Sequence, residues 1–261
     1  MLLKGSKSNS MPKDKPSISI SALQKRYNSN TDDTLKGIDL VINQGEFYGI
    51  LGPNSAGKTT LISVMCGLLK FNSGQVLIDG QNITSSRNNT KKKIGLVPQE
   101  IALYPKLTVE ENVAYFGQMH GIFGKELKDS VEVLLDTLQL NKHADKRISR
   151  CSGGIKRRTN IAAGMIHQPK FLILDEPTVG VDAQSRNLIF EYLKQLNNSG
   201  TTILYTTHYL GEAEDLCSQV SIIDDGLIVE NGSPESLIQK HESCKDLGDV
   251  FLKLTGKALR E

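Results

Sequence analysis

The pattern of apolar and polar positions predicts a series of strands that differ in burial. Residues 17–21 and 35–42 alternate apolar and polar side chains, which predicts two half-exposed strands near the N-terminus. Residues 47–51 and 171–174 are nearly continuous apolar runs, which are typical of strands buried on both faces of a parallel sheet. Further short strands are predicted at residues 76–80, 94–97, 202–205 and 220–223.

Helical periodicity appears in the segments between these strands. A helix is predicted over residues 59–69, directly after the apolar run 47–51 and a glycine-rich loop. In residues 109–140, Val131, Leu134, Leu135 and Leu138 recur at three- and four-residue steps and mark one buried face. A short amphipathic helix is predicted near Phe251. The sequence therefore predicts an α/β fold with a mostly helical insertion between strands.

Composition and charge exclude several classes of protein. The chain has 261 residues, of which 38% are hydrophobic and 23% charged, and its formal net charge is +2. So small a positive excess gives no reason to expect nucleic acid as a partner. The four scattered cysteines form no C-x-x-C pair, which argues against a zinc site and a disulfide framework. No apolar run is long enough for a membrane helix, and residues 1–16 read as a flexible polar leader without a signal peptide.

The glycine-rich loop matches the pattern G-x-x-x-x-G-K-[ST] of a Walker A loop. Its residues are Gly52, Pro53, Asn54, Ser55, Ala56, Gly57, Lys58 and Thr59. In such a loop the backbone curls so that its N–H groups face phosphate oxygens, and the following helix adds its positive end. Lys58 would neutralise the outer phosphates and the Thr59 hydroxyl would ligate Mg²⁺. We count Thr60, next in the helix, as nucleotide-binding with the loop.

Two acidic residues follow the second buried strand. Asp175 comes at its end and can hold Mg²⁺ directly or through water, as in a Walker B strand. Glu176 can act as general base for an attacking water. An isolated acidic pair at a strand end is as often only solvated, but the upstream Walker A loop favours the catalytic interpretation. Together the two motifs indicate a nucleotide triphosphatase or a kinase.

A third motif carries a resemblance to one family. Ser152, Gly153 and Gly154 precede a basic helix start, in an order and at a distance from Asp175 that resemble the signature motif of ABC ATPases. A hydroxyl, backbone N–H groups and a helix N-terminus make this segment a second phosphate cradle. The chain is thus similar to the ATP-binding subunits of ABC transporters. That resemblance implies a P-loop NTPase fold with a mostly parallel core sheet, an N-terminal antiparallel β-subdomain and an inserted helical subdomain.

The resemblance implies roles for four more residues. Gln99 resembles the Q-loop glutamine, which in the family contacts Mg²⁺ and links the core to the helical subdomain. Tyr27 resembles the aromatic residue that stacks on adenine, although a plain surface or core tyrosine is the alternative. Asp182 lies in a segment that resembles the D-loop, and His208 resembles the H-loop histidine that contacts the γ-phosphate. Ser55 stands where the family usually has glycine, and a positive φ there would cost about 1 kcal/mol.

The family also implies partners and a domain organisation. We expect an ABC ATPase domain over residues 17–240, its helical subdomain over about residues 100–150, and a C-terminal helical extension over residues 241–261. Two ATPase subunits, identical or not, would pair head to tail and bind ATP and Mg²⁺. They would power a separate membrane permease from the cytoplasmic side. Residues 208–214 resemble those of drug and lipid exporters.

Two other functions stay open at this point. One is a soluble ABC-type ATPase that acts on DNA or ribosomes, but such proteins usually carry tandem ATPase domains or a long coiled coil. The other is a small-molecule kinase, which would need an acceptor site and would have no use for the Ser-Gly-Gly segment. The kinase leaves the Ser-Gly-Gly segment unexplained, whereas the soluble ABC-type ATPase is disfavoured only by the lack of tandem domains and of a long coiled coil.

Overall fold

The computed structural model describes residues 16–27, 33–85 and 90–256. Of the predicted leader, only Pro16 belongs to these described residues, and it begins the first strand. The last five residues of the predicted C-terminal extension also lie outside them. No helix among the described residues is long and apolar enough to span a bilayer.

The described strands form two sheets. In chain order they are β1 (Pro16–Lys25), β2 (Leu35–Asn43), β3 (Phe47–Leu51), β4 (Ser73–Ile78), β5 (Gln81–Asn82), β6 (Ile94–Val97), β7 (Phe171–Asp175), β8 (Thr202–Thr207), β9 (Gln219–Asp224) and β10 (Leu227–Gly232). The first sheet is antiparallel, in the order β2-β1-β4-β5. The second has the order β10-β9-β3-β8-β7-β6 and is parallel apart from its edge strand β10.

Helices cover both faces of the parallel sheet. They are α1 (Lys58–Met65), α2 (Val109–Met119), α3 (Gly124–Thr137), α4 (Gly153–Met165), α5 (Ala183–Asn198), α6 (Leu210–Leu216), α7 (Pro234–Lys240) and α8 (Leu247–Thr255). Short 3-10 turns occur at Thr90–Lys93, Asn141–His143 and Ile148–Arg150. The α/β class, the mostly parallel sheet and the N-terminal antiparallel sheet predicted from the sequence are confirmed.

The core lies on two sides of the parallel sheet because side chains of a strand point alternately to its two faces. In β7, Leu172 and Leu174 pack among the helices of one side, whereas Phe171 and Ile173 pack with α1 and the antiparallel sheet on the other. All five residues of β7 are buried, as the uninterrupted apolar run predicted. Strands β3, β6, β7 and β8 run in the same direction, so their carboxyl ends meet at one edge of the sheet.

Glycines account for two differences from the predicted helices. The helix predicted through residue 69 ends at Met65, because Gly67 has a φ of 64° and the Leu68 N–H turns back to the Ser63 carbonyl. The helical stretch predicted over residues 109–140 is divided into α2 and α3, with Gly121 at positive φ between them and Gly124 at positive φ where α3 begins. The edge strand β10 was not predicted, because its short apolar start, Leu227–Val229, is followed directly by Glu230, Asn231 and Gly232 and shows no alternation.

The helical subdomain and the C-terminal helix both pack against the rest of the described fold. Helix α2 packs chiefly against α4, so the helical layer continues past residue 150 to Met165. At the C-terminus, Leu247, Val250 and Phe251 of α8 are buried in the same core cluster as the parallel sheet. The Leu247 N–H also donates to Glu214 at 2.7 Å, which fixes α8 against α6.

Candidate functional site

The loop between β3 and α1 has the shape of an anion cradle. Ser55 has a φ of 72° and Gly57 a φ of 107°, so the backbone curls in the left-handed region at both positions. A Cβ on Gly52 would lie 2.4 Å from the Ile223 carbonyl oxygen, so that position requires glycine. The first N–H groups of α1 have no partner within the helix and add its positive end to the cradle.

Lys58 is buried beneath this loop and is held by backbone oxygens. Its ammonium donates to the carbonyl of Gly52 at 2.7 Å and to that of Pro53 at 3.1 Å. Burial lowers the pKa of the Lys58 ammonium, and the nearby carboxylates of Glu176 and Asp175 oppose that effect. The charge of Lys58 is therefore fixed in place by the fold beside the loop, where a phosphate would lie.

Asp175 is oriented by two hydroxyl groups. Thr59 in the first turn of α1 donates to Asp175 Oδ2 at 3.0 Å, and Thr206 of β8 donates to Oδ1 at 2.6 Å. Thr206 lies directly opposite Asp175 in the register of β7 and β8. The Thr59 and Asp175 oxygens are the hard donors that Mg²⁺ prefers, and they adjoin the phosphate cradle. This donor set fits a magnesium ion.

Glu176 lies at the centre of the remaining predicted catalytic residues. Its Oε2 accepts from Gln99 Nε2 at 3.0 Å and lies 3.2 Å from His208 Nδ1. Its Oε1 lies 3.8 Å from the Lys58 ammonium. The backbone of Glu176 has a φ of 45°, a strained value that the N–H maintains by donating to Thr206. The carboxylate is thus directed toward the loop by its own backbone and by three side chains.

These groups border one open cleft of about 380 Å³. Its lining comprises Thr34, Pro53, Asn54, Ser55, Gly57, Lys58, Thr59, Thr60, Gln99 and Glu176. Tyr27 lies beside it with 57% of its surface exposed, and its hydroxyl lies 3.1 Å from Thr60 Oγ1. The Lys25 ammonium lies over this ring, 5.2 Å from its centroid, and the exposed surface that remains can contact a planar ligand.

The segment that resembles the ABC signature lies apart from this cleft. Ser152 caps the N-terminus of α4, where its side chain accepts from the Ile155 N–H, and both Ser152 and Gly153 are exposed. Gly154 is buried, and a Cβ there would lie 2.3 Å from Ser185 Oγ and 2.9 Å from Asp182 Oδ2. Asp182 caps α5 by accepting from the Ser185 N–H at 2.9 Å, and this bond lowers the pKa of its carboxyl.

Helix α4 connects the signature segment to the Gln99 loop. The Arg157 guanidinium and the Asn160 amide both donate to the Pro98 carbonyl, at 3.2 and 3.4 Å. Asn160 Oδ1 also accepts from the Ala102 N–H at 3.2 Å. The loop that carries Gln99 is therefore attached on both sides to the helix that begins at Ser152.

Comparison with known proteins identifies this arrangement. Residues 35–179 match the family model described as ABC transporter. The chain is 43% identical over 240 residues to the linearmycin resistance ATP-binding protein LnrL of Bacillus subtilis, covering 92% of this chain and 75% of the relative. The chain belongs to the ABC transporter family. A Nod factor export ATP-binding protein I from Ralstonia nicotianae is 36% identical, with 90% of this chain and 73% of the relative covered.

Solved structures of the family agree with the fold of this ABC subunit. The cbiO1 subunit from Clostridium perfringens, part of a transporter complex, superposes with a TM-score of 0.79 at 30% identity over 88% of this chain and 93% of its own. A dimeric ATP-binding cassette in a post-hydrolysis state with ADP and Pi gives 0.76 at 27% identity, over 83% and 98%. The P-loop fold and the expected function, an ATP-binding and ATP-hydrolysing transporter subunit, are confirmed.

Two residues of this ABC subunit belong to the site although no motif in the sequence selects them. Thr206 orients Asp175, and Thr34 lines the cleft. Thr206 and Thr34 join the site only through strand register and loop packing, which no local motif signals.

Proposed function

We propose that this ABC ATPase subunit powers export through a separate membrane permease, to which it binds on the cytoplasmic face of the membrane. Two copies would pair head to tail, with each ATP held between Lys58 of one copy and the partner's Ser152. Export is supported by the relatives named for linearmycin resistance and for Nod factor export. Pairing is supported by the dimeric cassette whose fold this chain shares.

The convergence of Lys58, Gln99 and His208 on the carboxylate of Glu176 carries the catalytic part of the proposal. In this hypothesis ATP lies in the cradle of residues 52–60, and Lys58 turns from its carbonyl partners toward the phosphates. Glu176 accepts a proton from the attacking water. His208 and Gln99 hold the carboxylate beside the terminal phosphate, with His208 close enough to contact it.

Magnesium would be held by the Thr59 hydroxyl and Asp175, with Gln99 at its edge. A bound Mg²⁺ neutralises charge on the phosphate oxygens. The chain's own part is to keep those donors in place, which Thr206 does for Asp175 from β8. Tyr27 would stack on the adenine ring, since this residue is exposed beside the cleft.

The exposure of Ser152 and Gly153 supports their contact with a second nucleotide. Ser152 and Gly153 do not line the cleft of their own chain, so a phosphate bound in that cleft would not be the one they contact. The partner's phosphate would reach Ser152 Oγ and the free N–H groups at the start of α4. Asp182 would act at the same interface, since its side chain adjoins Gly154.

The substitution Glu176→Gln tests the catalytic assignment. It keeps the size of the side chain and one acceptor oxygen but removes the base, so phosphate release should fall at least about a hundredfold while ATP binding persists. The matched control is Glu132→Gln on the exposed face of α3, which should leave both unchanged. A Glu176→Gln protein that hydrolyses ATP at the normal rate would refute the role of this residue.

A separate experiment tests the membrane partner. The chain should remain with membranes only when the permease is present in the same cells, and should appear in the soluble fraction without it. Membrane association independent of any permease would contradict the proposed assembly.

A further inference from the structure

A buried carboxylate behind the catalytic edge collects three hydroxyl groups. Glu212 in α6 is only 5% exposed. Its Oε2 accepts from the hydroxyls of Thr178 at 3.0 Å, Tyr205 at 2.8 Å and Thr207 at 2.9 Å. Burial of a carboxylate is costly unless such donors compensate for lost water. The three hydroxyls offset part of this cost, but stability alone does not explain why an acidic residue lies at this position.

The donors come from the two segments that carry the proposed catalytic residues. Thr178 follows Glu176 by two positions, and Thr207 directly precedes His208. The Thr207 hydroxyl also accepts from the Tyr209 N–H at 2.9 Å, so it fixes the backbone on both sides of His208. Through one oxygen, Glu212 thus joins the segment after β7 to the segment after β8.

Apart from these three hydroxyls, the Glu212 side chain has no hydrogen-bond partner in the part of the chain that the structure describes. Its Oε1 is buried and has no hydrogen-bond partner among the described residues. Burial and the adjacent Glu212 raise the pKa of the Tyr205 hydroxyl well above its usual value, so Tyr205 stays a donor. The carboxylate lies behind the strand ends and does not line the nucleotide cleft.

We propose that Glu212 is a positioning residue for ATP hydrolysis, which rests on the roles proposed for Glu176 and His208. By joining the Thr178 and Thr207 segments it sets the 3.2 Å approach of His208 to the Glu176 carboxylate. It takes no part in proton transfer. Small displacements of such groups slow catalysis strongly, because the reacting atoms must be aligned.

The test compares substitutions that remove the hydrogen bonds between Glu212 and the Thr178 and Thr207 segments with substitutions that retain them. Glu212→Leu removes the acceptor and Thr178→Val removes one donor, and each should lower kcat at least about tenfold. The Kd for ATP and the KM should stay as in the unaltered protein, because the cradle is untouched. Glu212→Gln keeps the acceptor oxygen and Thr178→Ser keeps the donor, so both should recover most of kcat. Thermal unfolding of each variant confirms that it is folded.

The conservative variant Glu212→Gln distinguishes a positioning role from a role in proton transfer. Glu176→Gln should be inactive, whereas Glu212→Gln should hydrolyse ATP. If Glu212→Leu fails to fold, Thr178→Val carries the comparison with Thr178→Ser. Three results would overturn the inference. Thr178→Val could show a normal kcat, or Glu212→Gln could be as inactive as Glu176→Gln. In the third, the affinity for ATP would fall together with kcat. Absence of phosphate release from the unaltered chain would instead count against the proposed ATPase roles.

Discussion

The hydroxyl of Thr59 donates to Asp175 Oδ2 at 3.0 Å, which joins the first turn of α1 to the carboxyl end of β7. These residues are 116 positions apart in the chain. The two motifs recognised separately in the sequence therefore form one oxygen-donor site beside the phosphate cradle. Thr206 holds the second oxygen of Asp175, so the carboxylate has little freedom to turn away.

Asp175→Asn should weaken the dependence of ATP binding on Mg²⁺. An amide is a weaker ligand than a carboxylate, so the gain in ATP affinity on adding Mg²⁺ should fall by about tenfold or more. Titration calorimetry with and without Mg²⁺ measures this directly. Asp145→Asn, on the exposed surface of the helical layer, is the control and should behave as the unaltered protein. A full magnesium effect in Asp175→Asn would show that the metal lies elsewhere.

Tyr27→Ala should weaken ATP binding, and Tyr27→Phe should not. Stacking of a base on an aromatic ring contributes about 1–3 kcal/mol, so the alanine variant should bind ATP about tenfold more weakly. Phenylalanine keeps the ring and loses only the contact with Thr60 Oγ1. Equal affinity for ATP in Tyr27→Ala and the unaltered protein would show that Tyr27 is a plain surface residue, the alternative that the sequence also allowed.

A stacked histidine pair makes stability depend on pH. The rings of His120 and His167 are parallel with centroids 3.7 Å apart, and Lys92 and Glu126 line the same cavity. His167 Nε2 lies 3.0 Å from the Ile94 carbonyl oxygen and donates to it, while Nδ1 is buried without a partner among the described residues. Burial and the adjacent His120 lower the pKa of His167 to about 4.

Because the unfolded chain binds this proton first, stability should fall as the pH drops from about 6.5 toward 4. The loss should be on the order of 2 kcal/mol by pH 5. Urea unfolding at pH 7.5 and pH 5 measures it. His167→Gln should lose less stability on acidification, while His143→Gln, outside the stack, should behave as the unaltered protein. Identical pH slopes for His167→Gln and the unaltered chain would exclude His167 as the source.

Local signals in the sequence were sufficient for the motifs and for most strands. The fixed spacing of the Walker A loop located its cradle, and the continuous apolar run of β7 correctly indicated burial on both faces. The positive φ considered for Ser55 from its place in the loop is also present, with a value of 72°. Such features depend on neighbouring residues alone, which is why they can be recognised in a single sequence.

Features that depend on distant pairing could not be predicted. Thr206 orients Asp175 only because β7 and β8 lie in a particular register. The burial of Gly154 arises from the close approach of α4 to Ser185, and the role of Glu212 arises from three hydroxyls on two segments that are distant in the sequence. A single sequence contains no signal for these contacts between distant residues.

A mixing experiment tests the shared ATP site most directly. Lys58→Ala and Ser152→Arg should each abolish hydrolysis when assayed alone, because every site then contains one damaged surface. A mixed dimer has one site in which both Lys58 and the partner's Ser152 are intact, so an equal mixture should recover about a quarter of normal phosphate release. An equal mixture as inactive as its components would contradict the head-to-tail site.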